Sequence, residues 1–299
     1  MIYAVTFNPS YDVVFALNSD FRIGGTFNQV PWTGFAGGKG NNVARAIKQL
    51  GGEVTAVGFY GGPLGDIILR LLTQTRIPYL NEPAADSSRL CLTLLTDRVT
   101  EIRGQGPYVS CDASLTLLRR LQSQIRPTDW ITLSGSLPAG LSPNTVTQWI
   151  ETLRSSCQGI IADLAGENLI AAWEAGVTAI CPNQNEYVAL STKPTPSPSQ
   201  HIIITRGAEG MLWYPPMATT PQKISVPAIP AKNPVGAGDV FVGALAFALS
   251  QKSSWKASLT QAIATASASV ATPGVAEIDQ ELFIALQSQV TITPSSVEL

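Results

Sequence analysis

One stretch of the sequence places a carboxylate at the start of an apolar helix, directly after a turn rich in glycine. It reads Asn233-Pro234-Val235-Gly236-Ala237-Gly238-Asp239 and is followed by an apolar run at 240–249. Glycines let successive N–H groups point one way, and the positive end of the helix adds to them, so this turn can hold an anion. Asp239 is expected to stay ionised there and to accept a proton beside a developing negative charge, which suits phosphoryl transfer. Taken alone, the stretch is better explained as an ordinary glycine turn with an aspartate N-cap.

A second glycine turn lies near the start of the chain and opens another predicted helix. It reads Gly37-Gly38-Lys39-Gly40-Asn41-Asn42. It is not a Walker A phosphate loop, because Thr33 and Gly40 stand where that motif needs a glycine and a serine or threonine. Glycines, one lysine and two amides suit the hydroxyls and the charge of a sugar phosphate. A glycine-rich turn with an asparagine cap is an equally good interpretation.

Two further motifs follow predicted strands. Asn183 and Glu186 lie three residues apart on a short helix, so both can hold water around Mg²⁺, although a capping box has a similar spacing. The stretch Thr205-Arg206-Gly207-Ala208-Glu209-Gly210 ends a strand with a glycine turn. Such a turn suits contacts with a nucleotide phosphate or ribose, and a plain hairpin is equally compatible with it.

The elements that must position these motifs alternate between strands and helices, which predicts an α/β protein with a parallel sheet covered by helices. Short apolar runs predict the strands, at 2–7, 54–59, 130–134, 159–163, 179–181 and 202–205. Helical spacing predicts helices between them, at 41–50, 67–75, 113–125, 144–155 and 168–175. The residues 191–199 read as a Pro/Ser loop.

Two segments break this alternation, since each pairs alternating strands through a turn. Strands at 12–17 and 26–32 form the first pair, and strands at 89–96 and 99–103, joined at Asp97-Arg98, form the second. We expect them to build a small antiparallel β lid over the carboxyl ends of the main strands, where ligands bind in α/β proteins.

Composition excludes several classes of protein. At 299 residues, 45% of them hydrophobic and 13% charged, the chain can bury a substantial core, and no compositional break divides it, so one domain over 1–299 is expected. A net charge of -2 without basic runs argues against nucleic-acid binding. No signal-peptide pattern and no apolar run of membrane-spanning length is found. The scattered cysteines indicate neither a zinc site nor a disulfide framework, and His201 is expected to be structural. A cytoplasmic protein acting on a small molecule fits these features.

Taken together and in this order, the motifs resemble those of the PfkB (ribokinase-like) carbohydrate kinase family over nearly the whole chain. The stretch 37–45 resembles the N-terminal signature of the family, and 235–239 its C-terminal signature. Asn8-Pro9-Ser10-Tyr11-Asp12 and Leu133-Ser134-Gly135-Ser136-Leu137-Pro138-Ala139-Gly140 resemble the branch that contains 1-phosphofructokinase and tagatose-6-phosphate kinase. This resemblance implies a ribokinase-like three-layer α/β/α sandwich and a substrate that already carries one phosphate.

The resemblance also implies a role for each motif. Asp239 is the expected catalytic base, and the N–H groups of Gly236, Ala237 and Gly238 form the expected anion hole. The substrate is expected to bind to Asp12, Gly38, Lys39, Asn42, Arg89 and Ser136, of which Lys39, Arg89 and Ser136 are the candidates for its phosphate. ATP is expected at Asn183, Thr205, Gly207 and Gly210, with its adenine between 205–235 and a helix at 261–271. Asn183 and Glu186 are expected to position Mg²⁺ through water.

The chain also departs from the branch. The lid strand Ser88-Arg89-Leu90-Cys91-Leu92-Thr93 lacks an asparagine and a lysine that the branch usually has, and Asn28-Gln29 stands where Asn-Arg is usual. Pro234 replaces a threonine before the catalytic turn. The missing basic residues leave two alternatives open, namely a kinase of an unphosphorylated sugar or nucleoside-like substrate and a sugar-phosphate sensor that only binds. A homodimer formed through the lid is expected, because exposed sheet edges and apolar faces need cover.

Overall fold

The structure, a computed structural model, describes residues 1–17, 22, 24–96, 99–190, 194, 197–226 and 228–295. Within these residues the chain forms fourteen strands and nine α-helices. The strands are β1 (Ile2–Thr6), β2 (Ser10–Ala16), β3 (Trp32–Gly37), β4 (Val54–Gly58), β5 (Tyr79–Asn81), β6 (Arg89–Leu95), β7 (Val99–Arg103), β8 (Trp130–Ser134), β9 (Gly159–Asp163), β10 (Ala179–Ile180), β11 (His201–Thr205), β12 (Met211–Tyr214), β13 (Gln222–Ser225) and β14 (Thr291–Pro294). The helices are α1 (Lys39–Gln49), α2 (Gly62–Gln74), α3 (Cys111–Gln122), α4 (Pro143–Leu153), α5 (Glu167–Glu174), α6 (Gln184–Val188), α7 (Ala237–Ser250), α8 (Trp255–Ser269) and α9 (Gln280–Gln287).

Ten strands form the central sheet, in the order β14-β13-β12-β11-β10-β9-β8-β1-β4-β5. The seven strands from β11 to β5 are parallel, and β12, β13 and β14 continue the sheet antiparallel to their neighbours. The register aligns the last residues of three central strands, because Thr6 pairs with Ser134 and Ser134 pairs with Asp163. Polar side chains at these strand ends therefore meet at one edge of the sheet.

Helices cover both faces of this sheet. The alternation along β1 sends Tyr3 and Val5 into a core with α3, α4 and α5, and sends Ile2 and Ala4 into a second core with α1, α2, α7 and α8. The largest fully buried side chain, Trp149, lies in the first core. These layers confirm the predicted three-layer α/β/α sandwich.

A separate four-stranded sheet, in the order β3-β2-β6-β7, forms the lid. The two outer pairs are antiparallel, but the central pair β2 and β6 is parallel. The expectation of an all-antiparallel lid was therefore wrong in this detail. The two hairpin-like pairs come from distant parts of the chain, so their local turns do not determine how they join each other. The predicted turn at Asp97-Arg98 lies outside the described residues, as does most of the predicted loop at 191–199.

The lid strand predicted at 26–32 was also wrong, because the strand that pairs with β2 is β3, Trp32–Gly37. Gly37 was assigned to the glycine turn that begins there, yet Gly34 and Gly37 both serve close packing within the strand. A Cβ on Gly34 would lie 2.1 Å from the hydroxyl oxygen of Tyr11, and a Cβ on Gly37 would lie 2.0 Å from Cγ of Asp12. Glycine is required here to let β2 side chains cross the neighbouring strand.

Other parts of the fold agree closely with the predictions. The strands at 130–134 and 159–163 have the predicted bounds, and the helices differ by a few residues at their ends. His201 is buried away from the lid, where Trp213 Nε1 donates to its Nδ1 at 3.0 Å, and burial lowers its pKa to about 4. No helix within the described residues is long and apolar enough to cross a membrane.

Candidate active site

A cleft of about 660 Å³ opens at the carboxyl ends of β1, β8 and β9, and lid residues from β6 and β7 line its other side. Twelve of the predicted site residues line this cleft: Asp12, Gly38, Lys39, Asn42, Arg89, Ser136, Asn183, Glu186, Thr205, Gly236, Gly238 and Asp239. Ala237, Gly207 and Gly210 do not. Motifs from both ends of the chain thus meet at one place.

The glycine turn at 233–239 leads directly into α7, with Gly236 at the helix cap. Gly236 has φ 84, in the left-handed region where glycine is favoured. The N–H of Ala237 donates to the carbonyl oxygen of Pro234 at 3.2 Å, whereas no described residue accepts from the N–H of Gly238. A Cβ on Gly238 would meet no atom within 4 Å, so this residue borders open space in the cleft. The arrangement can hold an anion at the helix N-terminus.

Asp239 lies in the first turn of α7 and is only 5% exposed. Asn42 Nδ2 donates to its Oδ2 at 2.7 Å. Burial raises the pKa of Asp239 to about 7, and Asp163 adds to the rise, whereas Lys39 and the hydrogen bond from Asn42 oppose it. The expectation that this carboxylate stays ionised is therefore corrected for the ligand-free site: burial outweighs the charge of Lys39 and the hydrogen bond from Asn42, and the pKa of Asp239 lies at about 7.

The contact between Asn42 and Asp239 depends on a close approach of α1 to α7. Gly243 lies four residues after Asp239 on α7, and a Cβ there would stand 2.9 Å from the carbonyl oxygen of Val43. The absence of a side chain lets the two helices approach each other. Asn42, adjacent to Val43 on α1, is thereby brought within hydrogen-bond distance of Asp239.

Lys39 forms an ion pair that the sequence did not suggest. Its Nζ lies 3.0 Å from Oδ1 of Asp163, the last residue of β9. Burial by itself lowers the pKa of Lys39, but the carboxylates of Asp163, Asp239 and Glu186 outweigh it and the pKa is raised. Lys39 therefore carries its charge among carboxylates at the end of the cleft where Asp239 lies.

Asp12, on β2, faces the cleft from the lid. Ser10 Oγ donates to its Oδ1 at 2.5 Å. Burial raises the pKa of Asp12, while the hydrogen bond from Ser10 and the charges of Arg89 and Arg45 oppose the rise. Its carboxylate can accept hydrogen bonds from hydroxyl groups of a ligand.

Arg89 and Ser136 both contact Asn8, at the end of the cleft under the lid. Arg89 donates from Nε and Nη2 to the carbonyl oxygen of Asn8, at 3.2 and 3.0 Å, and the Nδ2 of Asn8 donates to Oγ of Ser136 at 3.3 Å. The structure thus brings these two predicted phosphate ligands together. Lys39 contacts Asp163 instead.

Asn183 and Glu186 form the capping box that the sequence allowed. Oδ1 of Asn183 accepts from the N–H of Glu186 at 2.8 Å, and Oε2 of Glu186 accepts from the N–H of Asn183 at 2.9 Å. Both residues still line the cleft. Among the described residues there is no group of three or more acidic, cysteine or histidine side chains that could hold a metal directly.

The glycine turn at 205–210 forms a hairpin between β11 and β12, as the plainer interpretation allowed. A Cβ on Gly207 would meet no atom within 4 Å, whereas one on Gly210 would lie 2.2 Å from the carbonyl oxygen of Ile224. Gly210 thus serves packing, and only Thr205 of this motif reaches the cleft. The predicted adenine site next to α8 is not part of the cleft, since α8 contributes no lining residue.

Three functional candidates escaped the prediction from sequence. Asp163 ends β9, and an acidic residue at the carboxyl end of a predicted parallel strand was the signal that could have found it. Glu101 and Arg103 of β7 line the cleft from the lid and lie 2.8 Å apart. They alternate with outward-facing residues on a predicted strand, but the sequence does not show which side of that strand faces the cleft.

Solved structures share this fold. Ribokinase from Giardia lamblia superposes with a TM-score of 0.74 at 17% identity, covering 95% of this chain and 99% of that one, which shows the fold. Phosphofructokinase-2 from Escherichia coli, solved in complex with fructose-6-phosphate, has a TM-score of 0.80 at 25% identity and covers 95% of this chain and 98% of its own. The architecture and the cleft under its lid define a protein of the ribokinase-like class.

Sequence comparison identifies the family within this class. The profile described as "pfkB family carbohydrate kinase" matches residues 18–281. The 1-phosphofructokinase of Escherichia coli (strain K12) is 30% identical over 310 residues, which cover 98% of either chain. The chain therefore belongs to the PfkB family of carbohydrate kinases and is similar to 1-phosphofructokinases, which confirms the resemblance of its glycine motifs.

Proposed function

We propose that this protein transfers the γ-phosphoryl group of ATP to a hydroxyl of a phosphorylated ketohexose, of the fructose 1-phosphate or tagatose 6-phosphate type, with Asp239 as the general base. The observation that carries this proposal is the setting of Asp239, a buried carboxylate in the first turn of α7 with its pKa raised to about 7. A base is most effective when its pKa lies near the working pH. A sensor that only binds a sugar phosphate needs no proton acceptor at this point.

The proposed step joins the acceptor oxygen to the γ-phosphorus of ATP. Asp239 takes the hydroxyl proton as that oxygen attacks, and the bond from the γ-phosphorus to the bridging oxygen of ADP breaks. The N–H groups of Gly236, Ala237 and Gly238 are proposed to stabilise the negative charge on the transferring group. The N–H of Gly238 has no partner among the described residues and is free to bind the phosphoryl group. The N–H of Ala237 donates to the carbonyl oxygen of Pro234 and must break this hydrogen bond before it can do so.

The sugar is proposed to lie between this turn and the lid. Arg89 and Ser136 would hold its phosphate, since charged and hydroxyl donors suit a dianion. Lys39 was predicted to join them. Its ion pair with Asp163 and its attraction to Asp239 support a second role, and we propose that it also acts on the transferring phosphoryl group beside Asp239.

Asp12 and Asn42 are proposed to bind sugar hydroxyls, and Gly38 to let the sugar approach the backbone. Gly38 has φ 88, and a Cβ on it would lie 2.8 Å from Cγ2 of Thr6, so a larger residue does not fit. Asn42 already donates to Asp239. A hydroxyl bound beside Asn42 is therefore also beside the proposed base, which orients the acceptor for attack.

ATP is proposed to extend from the α7 turn towards Thr205, Gly207 and Gly210, next to Asn183. The open space beside Gly238 and its unpaired N–H fit a phosphate group. Mg²⁺, which neutralises phosphate charge when bound, would be positioned through water by Asn183 and Glu186. The capping box uses one carboxylate oxygen of Glu186, so the other can accept from a metal-bound water.

A coupled ADP-release assay across fructose 1-phosphate, fructose 6-phosphate, tagatose 6-phosphate, free fructose and free tagatose tests the proposal. We expect the phosphorylated ketohexoses to give a kcat/KM at least about tenfold above that of the free sugars, because a charge-assisted contact is worth about 1.5–3 kcal/mol. The assay also compares these substrates with fructose 6-phosphate, the sugar phosphate in the structure of phosphofructokinase-2 of Escherichia coli. Absence of turnover with every sugar, at saturating Mg²⁺ and ATP, would instead support a sensor that only binds.

One observation favours an unphosphorylated substrate as the second candidate. The three cationic side chains that line the cleft within the described residues, Lys39, Arg89 and Arg103, each have a protein partner already. Arg103 pairs with Glu101, which is exposed, and an exposed ion pair contributes little to stability. Arg103 can therefore leave Glu101 and bind a phosphate at little cost. Higher kcat/KM with a free sugar than with its phosphate would establish this second candidate.

We further propose that 1–299 form one domain, in the cytoplasm, whose lid pairs with that of a second copy. Trp32 and Ile102 on the lid strands are 59% and 54% exposed, and large exposed apolar side chains on a sheet commonly mark an interface. Sedimentation at micromolar concentration, with and without ligand, is expected to give a dimer. A monomer under both conditions would contradict this part of the proposal.

A further inference from the structure

Arg45 lies on α1, three residues after Asn42, and has no part in the proposed transfer step. It is partly buried. Its Nη2 donates to Oδ1 of Asn42 at 2.6 Å and its Nη1 to the carbonyl oxygen of Ala36 at 3.4 Å, while the guanidinium lies 5.1 Å from the ring centre of Phe35. Its Nε is buried and has no hydrogen-bond partner among the described residues.

This guanidinium carries its charge without a carboxylate in ion-pair contact within the part of the chain that the structure describes. Burial lowers the pKa of Arg45 to about 10, and attraction to Asp12, Asp239 and Glu277 opposes this, so the side chain stays charged at neutral pH. Removing a charge from water without a direct partner is unfavourable. Packing alone would be served better by an apolar side chain of the same length.

The contacts of Asn42 show what the charge can do. Its amide oxygen accepts from Arg45, and its amide nitrogen donates to Oδ2 of Asp239 at 2.7 Å. In the flipped orientation, the amide N–H groups would face the guanidinium, which only donates, and the amide oxygen would face the carboxylate, which accepts when ionised. Arg45 therefore excludes the flipped amide. A charged donor on the amide oxygen also polarises the amide and strengthens its N–H as a donor.

We propose that Arg45 is a positioning residue for phosphoryl transfer, which holds the amide of Asn42 so that Asn42 donates to the ionised carboxylate of Asp239. This inference rests on the proposed function of Asp239 as the base. Arg45 does not touch Asp239 itself. Its charge attracts the carboxylate across space, and its hydrogen bond to Asn42 holds the amide that donates to Asp239.

Charged groups on three other elements or positions also shift the pKa of Asp239. The hydrogen bond from Asn42 lowers this pKa and so opposes the two carboxylates that raise it. Asp163 of β9 and Asp12 of β2 raise the pKa of Asp239, whereas Lys39 of α1 lowers it. Loss of Arg45 weakens the Asn42 hydrogen bond and leaves the two carboxylates unchanged. The ionised fraction of Asp239 then falls at a given pH.

The test replaces Arg45 by methionine, which has a similar length and no charge, and measures kcat, both KM values and the pH profile of kcat. We expect kcat to fall about tenfold to a hundredfold, KM for ATP to change less than about twofold, and the acid limb of kcat to move to higher pH. Arg70→Met is the matched control, because Arg70 is exposed on α2. It is expected to behave as wild type.

Two further variants separate this role from a structural one. Arg45→Lys keeps a charged donor for Asn42 and is expected to restore most of kcat and the wild-type acid limb, which a packing role of the guanidinium would not explain. Should Arg45→Met fail to fold, Arg45→Gln replaces it with the same expected direction of shift. In a double-mutant cycle, adding Arg45→Met to Asn42→Ala should lower kcat by less than about threefold further, because only the attraction of Arg45 to Asp239 across space is then still lost, whereas its contact with Asn42 is already gone.

The outcomes distinguish this inference from the proposed function. Suppose that Asp239→Asn is inactive. The role of Arg45 is then overturned if Arg45→Met has wild-type kcat and an unshifted acid limb, or if the losses in the double-mutant cycle are additive. Near-normal kcat in Asp239→Asn overturns the proposed function, and the role of Arg45 with it. Coupled losses together with rescue by lysine establish the positioning role.

Discussion

Helices α1 and α7 each begin at a glycine with a positive φ, and both beginnings face the same cleft. Gly38 precedes α1 with φ 88, and Gly236 precedes α7 with φ 84. Neither residue provides a side-chain cap, so the first N–H groups of each helix depend on the backbone, water or a ligand. The two turns thus share a glycine with a positive φ and a helix start without a side-chain cap.

The residues after each glycine differ between the two helices. α1 begins with Lys39 and stays amphipathic, so it presents side chains to the cleft from one face. α7 is buried along nearly its whole length, and it offers one carboxylate, Asp239, and backbone N–H groups beside the small Gly238. The comparison shows that similar helix starts present different groups to the cleft, because the residues after the glycine decide whether side chains or backbone N–H groups face it.

The largest expected effect is at the α7 turn. Asp239→Asn keeps the shape of the side chain and its contact with Asn42 but cannot take a proton, so kcat should fall about 10²- to 10⁴-fold while ATP affinity stays close to wild type. Steady-state kinetics and ATP titration check this. Asp66→Asn, at an exposed position of α2, is the control. Near-normal kcat in Asp239→Asn would contradict the roles given to the two turns.

The α1 turn is tested by Lys39→Ala. We expect kcat/KM for the phosphorylated sugar to fall about ten- to a hundredfold, since a charge-assisted contact is lost. Because Lys39 lowers the pKa of Asp239, the acid limb of kcat/KM should also move to higher pH. An effect on KM alone would assign Lys39 to the phosphate of the sugar, and an effect on kcat to the transferring group. Lys48→Ala, exposed on the same helix, should be silent.

The substitution Asp239→Asn should raise the stability of the protein although it lowers kcat. The pKa of Asp239 is raised from 3.8 to about 7 in the folded protein, so between these values the folded state binds more protons than the unfolded state and stability falls as pH rises. Asp239→Asn removes this penalty and should raise the free energy of unfolding by about 1–3 kcal/mol at pH 8. Denaturant titrations should show the gain shrinking towards pH 4. An equal gain at both pH values would contradict the raised pKa.

The smallest effect separates two glycines of the α7 turn. Gly236→Ala places a side chain in the left-handed region and should destabilise the protein by about 1 kcal/mol. Gly238→Ala meets no atom within 4 Å and should leave stability unchanged, but its methyl group enters the cleft and should weaken nucleotide binding. Thermal melts and ATP titrations of both variants check this. Equal loss of stability in both would show that Gly238 serves packing.

The sequence predicted local structure well where periodicity was clear. β8 and β9 were predicted with their observed bounds, because short apolar runs between turn signals are typical of buried parallel strands. The strand at Trp32–Gly37 was placed too early, at 26–32, and Gly37 was assigned to a turn. In the structure Gly34 and Gly37 leave room for Tyr11 and Asp12 of the neighbouring strand. Local patterns do not report which side chains cross from another strand.

The sequence by itself determined the alternation of strands and helices and the two glycine turns, because each rests on residues close together in the chain. It also determined the family, because several such local motifs follow one another in a recognisable order. Only the tertiary structure decided which groups meet. Asn42 and Asp239 are 197 residues apart, and Lys39 and Asp163 are 124 apart. The order of the parallel strands and the close approach of α1 to α7 at Gly243 bring them together. Such contacts depend on how whole elements pack, and this is also what raises the pKa of Asp239 to about 7.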